Sequence, residues 1–126
     1  MPRNVEAYHS AELSKQLYLK SLESVQDFFL GKHFEANGSG LSYDDYLDYL
    51  NTIKNGEDLS KLINTQFDTV AQQASVLNEN FVTQIQVDNS KMLTAYDELQ
   101  KNVVLLKVDM VQALSISIDY VDSDGD

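Results

Sequence analysis

The sequence contains no cysteine and, in 126 residues, only one proline and five glycines. Without cysteine the chain has no disulfide, no thiolate nucleophile and no cysteine-ligated zinc. So few prolines and glycines leave room for long uninterrupted helices. Basic residues are scarce too, because nine Lys and Arg stand against 20 Asp and Glu, for a net charge of −11. Binding phosphate groups requires a basic face, so we expect no nucleic-acid partner.

The opening of the chain, MPRNVEAYHSAELSK, also lacks a long apolar run. It therefore shows neither a signal peptide nor a membrane-spanning segment. Two interpretations remain open: either the protein is cytoplasmic, or this chain is a piece whose export signal lies elsewhere. Apolar residues make up 43% and charged residues 23%, which is typical of a globular protein. The length predicts one domain covering residues 1–126.

Apolar spacing predicts two helices in the first half. Apolar residues three or four positions apart predict a long helix from Glu6 to Leu30. Gly31 is the expected end of this helix, and the alternative is a further turn through His33 and Phe34. A capping box of Ser42 and Asp45 opens a short helix in YDDYLDYLNTI, which Asn55-Gly56 ends. In this short helix we expect one apolar face and, opposite it, a solvated face that carries the aspartates. We expect the tyrosines to be half-buried rings whose hydroxyls reach water. The predicted apolar face comprises Tyr43, Tyr46, Leu47, Leu50 and Ile53 and the predicted solvated face Asp44, Asp45 and Asp48.

Two longer apolar seams follow, each with the three- and four-residue steps of a buried helix face. The first seam consists of Leu59, Ile63, Phe67, Val70, Ala74, Leu77, Phe81 and Ile85. The second consists of Met92, Tyr96, Leu99, Val103, Leu106, Met110 and Leu114. Between them VDNS predicts a turn in which Asn89 or Ser90 caps the second helix. Two seams joined by a short turn predict an antiparallel helical hairpin.

After Leu114 the apolar period changes to two, because Ile116, Ile118 and Tyr120 alternate with other residues, which predicts a strand-like segment. The predicted fold is therefore all-α. It is an antiparallel up-down bundle of three long helices and one short helix, with a short extended C-terminal tail.

The C-terminal tail carries aspartates at alternate positions, Asp122, Asp124 and Asp126, which match positions 1, 3 and 5 of an EF-hand loop. Calcium requires six to eight oxygen ligands, and an EF-hand draws further ligands from later positions. The sequence ends at position 5, which excludes an isolated EF-hand. Two interpretations stay open: another oxygen cluster that holds a divalent or iron cation, or a solvated acidic turn.

Other candidate ligands have simpler explanations. His33 and Glu35 are two residues apart, which puts them on different faces of a helix, although a loop brings such a pair to one ion. His9 has Glu6 and Glu12 three residues to either side, and too few ligands come from one helix to hold a metal. The sequence contains no Gly-x-Ser-x-Gly elbow and no phosphate-binding loop. We therefore do not expect a self-contained enzyme.

The end of the chain combines three features in order. Ala113-Leu114 is followed by Ser115, then by the alternating segment Ile116–Tyr120, then by Asp124-Gly125-Asp126. This order resembles the C-terminus of the imelysin family of iron-regulated periplasmic proteins, in which a glycine commonly follows the Ala-Leu pair. A second similarity is the helix end Phe29-Leu30-Gly31, which leads through a glycine-rich loop into Gly40-Leu41-Ser42. The resemblance spans about residues 14–126.

The resemblance implies a bacterial cell-envelope or periplasmic protein, linked to iron uptake and built from two related helical halves. This chain would be the C-terminal half, with an N-terminal half of the same precursor as its partner and any membrane attachment through a lipid anchor outside the chain. The family signature Gly-x-His-x-x-Glu is absent, because Gly31-Lys32-His33 continues to Glu35 one residue too early. No catalytic or metal-binding residue is therefore carried over from the family.

Four functions remain as hypotheses. The first is a non-catalytic helical half that packs against a partner half. The second is a metal-binding module with ligands from the C-terminal aspartates or from His33 and Glu35. The third is a cytoplasmic adaptor whose acidic surface binds a basic protein, and the fourth is a metallopeptidase, which the lack of an assembled ligand set disfavours.

Overall fold

The computed structural model describes Ala7 and residues 10–116, and it is mostly helical, with 70% helix and 6% strand. A 3₁₀ turn at Ala11–Leu13 leads into helix α1 (Ser14–Phe29), and the short helix α2 spans Tyr43–Tyr49. Strands β1 (Ile53–Lys54) and β2 (Glu57–Asp58) form an antiparallel hairpin. Helix α3 (Leu59–Ser75) and helix α4 (Phe81–Val104) follow, and a π-helical segment (Leu105–Met110) leads into helix α5 (Val111–Ala113).

Helix α1 begins later than predicted and ends where predicted. Its first residue, Ser14, donates its hydroxyl to the carbonyl of Ala11 at 2.6 Å and accepts the backbone N–H of Ala7 at 3.0 Å. At the other end Gly31 has φ +65°, and the next residue, Lys32, donates its N–H to the carbonyl of Asp27 at 2.9 Å. These are the features of a Schellman motif, which confirms Gly31 as the residue that ends the helix.

The capping box that was predicted for α2 is present. Ser42 Oγ accepts the backbone N–H of Asp45 at 3.1 Å, and Asp45 Oδ2 accepts the N–H of Ser42 at 3.2 Å. The predicted helix end at Asn55-Gly56 is wrong, because α2 already ends at Tyr49. Asn55 and Gly56 have φ +53° and +81° and join β1 to β2, as expected for a two-residue hairpin turn. The all-α prediction therefore misses a small two-stranded sheet.

Helix α3 ends earlier than the first apolar seam predicts. The seam continues to Ile85, whereas the helix stops at Ser75 and a turn leads to Phe81. Lys15 of α1 holds this end, since its Nζ donates to the carbonyl of Leu77 at 2.9 Å and lies 2.7 Å from Glu79 Oε1. A lysine at the end of a helix satisfies its free carbonyls and opposes its dipole.

The turn that was predicted between the two seams lies inside helix α4, where the structure has only a kink. Asp88 has non-helical angles (φ −153°, ψ 88°) inside the helix. Its Oδ1 accepts the backbone N–H of Ser90 at 3.1 Å, so the cap of the second segment is Asp88 rather than Asn89 or Ser90. Buried Gln84 holds the kink, because its Nε2 donates to the Asp88 carbonyl at 2.7 Å and its Oε1 accepts the Asn78 N–H at 2.8 Å.

The core forms around α3, which packs against α1, α2 and α4. One buried cluster lies at the beginning of α3 and includes residues of the short helix and of the chain after α4; its buried members are Phe29, Leu47, Leu59, Ile63 and Phe67. A second cluster at the end of α3 contains Leu77, Phe81 and Ala95, with Tyr18 packed against it. The first predicted seam is therefore confirmed as the main buried stripe.

The second predicted seam is wrong in part. Tyr96 and Val103 are exposed by 55% and 37%, whereas Ala95 and Asn102, one residue earlier in each case, are buried. At the end of α5, Ser115 has φ +53°, and Ile116 donates its N–H to the carbonyl of Val111 at 3.0 Å. The predicted strand-like segment beyond Ile116 lies outside the described residues.

Candidate functional site

The predicted metal ligands Asp122, Asp124 and Asp126 lie outside the described residues, as do Glu6 and His9. Within residues 10–116 and Ala7, no group of three or more His, Asp or Glu side chains is placed to hold a metal ion. His33 and Glu35 are exposed in the loop after α1. The metal site at the end of the chain stays a prediction.

Asp45 and Asp48 are exposed, as predicted for the solvated face of α2, and Asp44 is partly buried. Asp44 and Asp48 also contact α3, which was not predicted. Asn64 Nδ2 donates to Asp44 Oδ1 at 2.8 Å, and the buried Ser60 hydroxyl donates to Asp48 Oδ1. Burial raises the pKa of the Asp44 carboxyl above its ordinary value, an effect that the hydrogen bond from Asn64 opposes. Both carboxylates thus accept hydrogen bonds from neutral donors, and this face of α2 is a helix–helix contact.

The opposite face of α2 forms an open cleft of about 740 Å³ with the end of α1. We call it the aromatic cleft. Its apolar lining consists of Phe28, Leu41, Tyr43, Tyr46 and Tyr49, and its remaining lining residues are Gly31, Lys32, Ser42 and Asp45. Phe28 is 71% exposed, Leu41 98% and Tyr49 82%. Large apolar side chains exposed together in one cleft mark an interaction surface.

The backbone of the loop between α1 and α2 brings the two sides of the aromatic cleft together. Gly40 donates its N–H to the carbonyl of Gly31 at 2.8 Å, so the loop returns to the end of α1. A side chain at Gly31 has no room, because a Cβ there would lie 2.7 Å from the Gly40 oxygen and 2.9 Å from Ser42 Cβ. The capping box at Ser42 then starts α2 directly beside Phe28.

The rings of the cleft form two pairs. The centroids of Phe28 and Tyr43 lie 5.8 Å apart in a tilted arrangement, which links α1 to α2. Tyr46 and Tyr49 are stacked, with centroids 6.2 Å apart and ring planes 10° from parallel. Such ring pairs stabilise the side chains on each side of the cleft by about 0.5–1.5 kcal/mol each.

The sequence predicts Tyr43, Tyr46, Leu47, Leu50 and Ile53 on one apolar face of the short helix, with the tyrosine rings half-buried. The rings of Tyr43 and Tyr46 are half-buried as predicted, but most of this face does not pack on the core. Leu47 is 1% exposed, but the other four are all at least 39% exposed. The face that contacts α3 consists of Asp44, Leu47 and Asp48, and it turns the tyrosines outward. The available signal is the spacing of the rings: Tyr43, Tyr46 and Tyr49 are three residues apart, which places them along one side of the helix, away from Asp44 and Asp48.

A second cavity, of about 370 Å³, lies between α1 and α4, and apolar residues line most of it. Its lining includes Leu17, Tyr18, Phe81 and Tyr96, and also Ala7, whose neighbours in sequence lie outside the described residues. Two of its lining residues, Tyr18 and Phe81, make an edge-to-face contact with ring centroids 5.9 Å apart. This cavity is part of the seam between α1 and α4.

Comparison of the chain with protein-family models, with curated proteins and with solved structures found no match. Among the described residues, no helix has both the length and the apolar character needed to cross a membrane. The aromatic cleft is the candidate functional site because it combines exposed rings with exposed apolar side chains.

Proposed function

We propose that this chain is a non-catalytic helical domain that packs against a second protein unit through the aromatic cleft. The observation that carries the proposal is the exposure of Phe28, Leu41 and Tyr49 in one cleft. Burial of a large apolar side chain contributes about 1.5–3 kcal/mol, and tyrosine and phenylalanine are enriched at protein interfaces. A partner that covers the cleft recovers this stabilisation.

The proposed architecture is an antiparallel up-down bundle of α1, α3 and α4. Two contacts support opposite directions for α1 and α3: Lys15 contacts the end of α3, whereas Gln26 reaches Asp68 in its middle, at 3.4 Å. Two further contacts support opposite directions for α3 and α4. Phe81 packs near the end of α3, and Glu98 accepts a hydrogen bond from Gln66, further back along α3, at 2.9 Å.

The resemblance to the imelysin family supplies an identity for the second unit. In this proposal the chain is the C-terminal half of an imelysin-like protein of the cell envelope, linked to iron uptake. Its partner is the N-terminal half, which bears Gly-x-His-x-x-Glu. One structural detail agrees with the resemblance: Ser115 has φ +53°, a conformation that favours glycine, and the family commonly has glycine at this position.

The reading frame upstream of codon one provides the test. We expect it to encode a second helical half, which can be purified and mixed with this chain, and the complex measured by calorimetry and light scattering. The double variant Tyr46→Ser/Tyr49→Ser should weaken the complex at least about tenfold, because interface tyrosines often contribute 2 kcal/mol or more. Tyr96→Ser, which removes a comparably exposed ring on α4, is the matched control.

Two results would contradict the proposal. A ribosome-binding site directly before Met1, with no second helical half encoded upstream, would remove the imelysin-like partner. A complex that forms equally tightly with the parent chain and with the tyrosine double variant would show that the aromatic cleft is not the interface.

A further inference from the structure

The charged groups of the aromatic cleft belong to a chain with a net charge of −11. Lys32 and Asp45 are the charged residues among its lining, and the Lys32 ammonium is neutralised by Asp27, whose Oδ1 lies 3.1 Å away. Asp45 accepts the Ser42 N–H and hydroxyl at 3.2 Å and 2.8 Å, and both bonds use Oδ2. Within the described residues Asp45 Oδ1 has no hydrogen-bond donor, and the residue is exposed. The cleft thus offers a carboxylate oxygen to a cation.

The stacked pair of Tyr46 and Tyr49 offers a second kind of cation site. The two rings are nearly parallel and exposed, by 49% and 82%. The face of a tyrosine ring attracts a cation, and a planar guanidinium stacks on it. The cleft therefore combines apolar contact area with groups that prefer a positive charge.

The length of the cleft matches an extended peptide. Tyr43 and Tyr49 are six residues apart on α2, a rise of about 9 Å along the helix axis. A polyproline II segment rises about 9.3 Å over three residues, and its side chains repeat on one face with that period. Side chains three residues apart in such a segment are therefore separated by about the rise from Tyr43 to Tyr49 along α2.

Net charge distinguishes this occupant from a second copy of the chain. Two copies, each with a net charge of −11, repel one another when the same acidic surfaces meet. A basic segment is attracted by the same field. We propose that the aromatic cleft binds an extended, arginine- or lysine-bearing segment of the partner unit, with its cations on the Tyr46–Tyr49 pair and beside Asp45. This inference rests on the proposed function, since it gives the chemistry of the segment that fills that interface.

The test uses two synthetic peptides and the 126-residue chain. One peptide consists of Arg-Pro-Pro repeats, which are extended and place arginine at every third position, and the other replaces each arginine by glutamine. Binding is measured by NMR titration and calorimetry at low salt. We expect resonance shifts concentrated at the aromatic cleft and binding of the glutamine peptide at least about fivefold weaker, since each cation–ring contact contributes about a two- to fivefold effect.

Salt and two variants complete the test. Raising NaCl from about 50 to about 500 mM should weaken binding of the arginine peptide severalfold, because salt screens exposed charges. Tyr46→Ser/Tyr49→Ser keeps the net charge and should lose at least about fivefold in affinity. Tyr96→Ser should bind like the parent chain. All three rings are exposed, so circular dichroism should show unchanged helix content in both variants.

Four outcomes would overturn the inference. If the two peptides bind equally well and both lose affinity in the double variant, the cleft is an interface without a preference for cations. Arginine-peptide binding that survives in the double variant would be attraction to the general negative charge. A dimer of the chain that this variant dissociates would make a second copy the occupant. If neither peptide binds, the proposed basic segment is not the occupant of the cleft. The experiment with the upstream half would still decide the proposed function.

Discussion

Alanine substitutions at two glycines test whether the loop between α1 and α2 depends on close backbone contact. Gly31 and Gly56 both have positive φ, +65° and +81°. For any residue with a Cβ this conformation costs roughly 1–2 kcal/mol. Only Gly31 also lacks space, because its added Cβ would lie 2.7 Å from the Gly40 oxygen, whereas nothing lies within 4 Å of a Cβ at Gly56.

We therefore expect Gly31→Ala to destabilise the chain more than Gly56→Ala. Overpacking adds about 1–3 kcal/mol, so the expected loss is about 2–5 kcal/mol at Gly31 and about 1–2 kcal/mol at Gly56. The entropy that alanine removes from the unfolded chain is the same at both positions and cancels in the difference. For a chain of this size 1 kcal/mol shifts Tm by roughly 3–5 °C, so the two variants should differ by about 3–15 °C.

Thermal and urea unfolding, followed by circular dichroism at the helix band, measure both variants against the parent chain. The Gly56 variant is the matched control because it introduces the same methyl group at the same sign of φ. Equal losses of stability at the two positions would show that the close approach of Gly31 to Gly40 contributes nothing. In that case the contact between Gly31 and Gly40 would not be what holds the loop beside the aromatic cleft.

Three further predictions concern single side chains. Lys15→Met should cost about 2–3 kcal/mol of unfolding free energy, because the end of α3 loses a charged donor and Glu79 loses its cationic partner. Lys20→Met removes an exposed ion pair and should unfold at nearly the same urea concentration as the parent chain. Burial raises the pKa of Asp44, so the folded state binds a proton at this carboxyl more tightly than the unfolded state does. Ionised Asp44 therefore lowers the free energy of unfolding above its folded pKa, and this loss disappears below the ordinary pKa of 3.8. Asp44→Asn should therefore stabilise the chain at pH 7 and not at about pH 3. Asp88→Asn should destabilise the chain at pH 7, because the hydrogen bond from the Ser90 hydroxyl lowers the pKa of Asp88 and so favours its ionised form in the folded state. Urea titrations at both pH values that show the same sign of stability change for the two variants would contradict this. Ser115→Gly should raise the unfolding free energy by about 1 kcal/mol in the same assay, since glycine adopts positive φ without strain, and a loss would refute it.

The apolar period predicted the buried stripe of α3 and failed at its end. Ile63, Phe67, Val70 and Ala74 are all buried, because each lies three or four residues from the next and faces the same side of the helix. The period continues through Leu77 beyond the end of the helix, so spacing alone places the turn too late. Leu77 is buried as predicted, but it lies in the turn.

On α4 the most apolar residues are not the most buried ones. Ala95 is buried and the larger Tyr96 beside it is exposed. A tyrosine at the edge of a contact keeps its hydroxyl in water. A hydrophobicity pattern ranks Val103 above Asn102, yet Asn102 is buried and Val103 is exposed, so the pattern does not predict which side of the helix faces the core.

The sequence by itself determined three local features: the end of α1 at Gly31, the capping box at Ser42 and the apolar stripe of α3. These features follow from local conformational preferences and from the period of the helix, which act over a few residues. Only the tertiary structure decided the orientation of α2. Hydrogen bonds from Ser60 and Asn64 hold its aspartates against α3, and this long-range contact turns the tyrosines outward to form the aromatic cleft. Residues 12 to 20 positions apart make these bonds, and no local pattern predicts such a pairing.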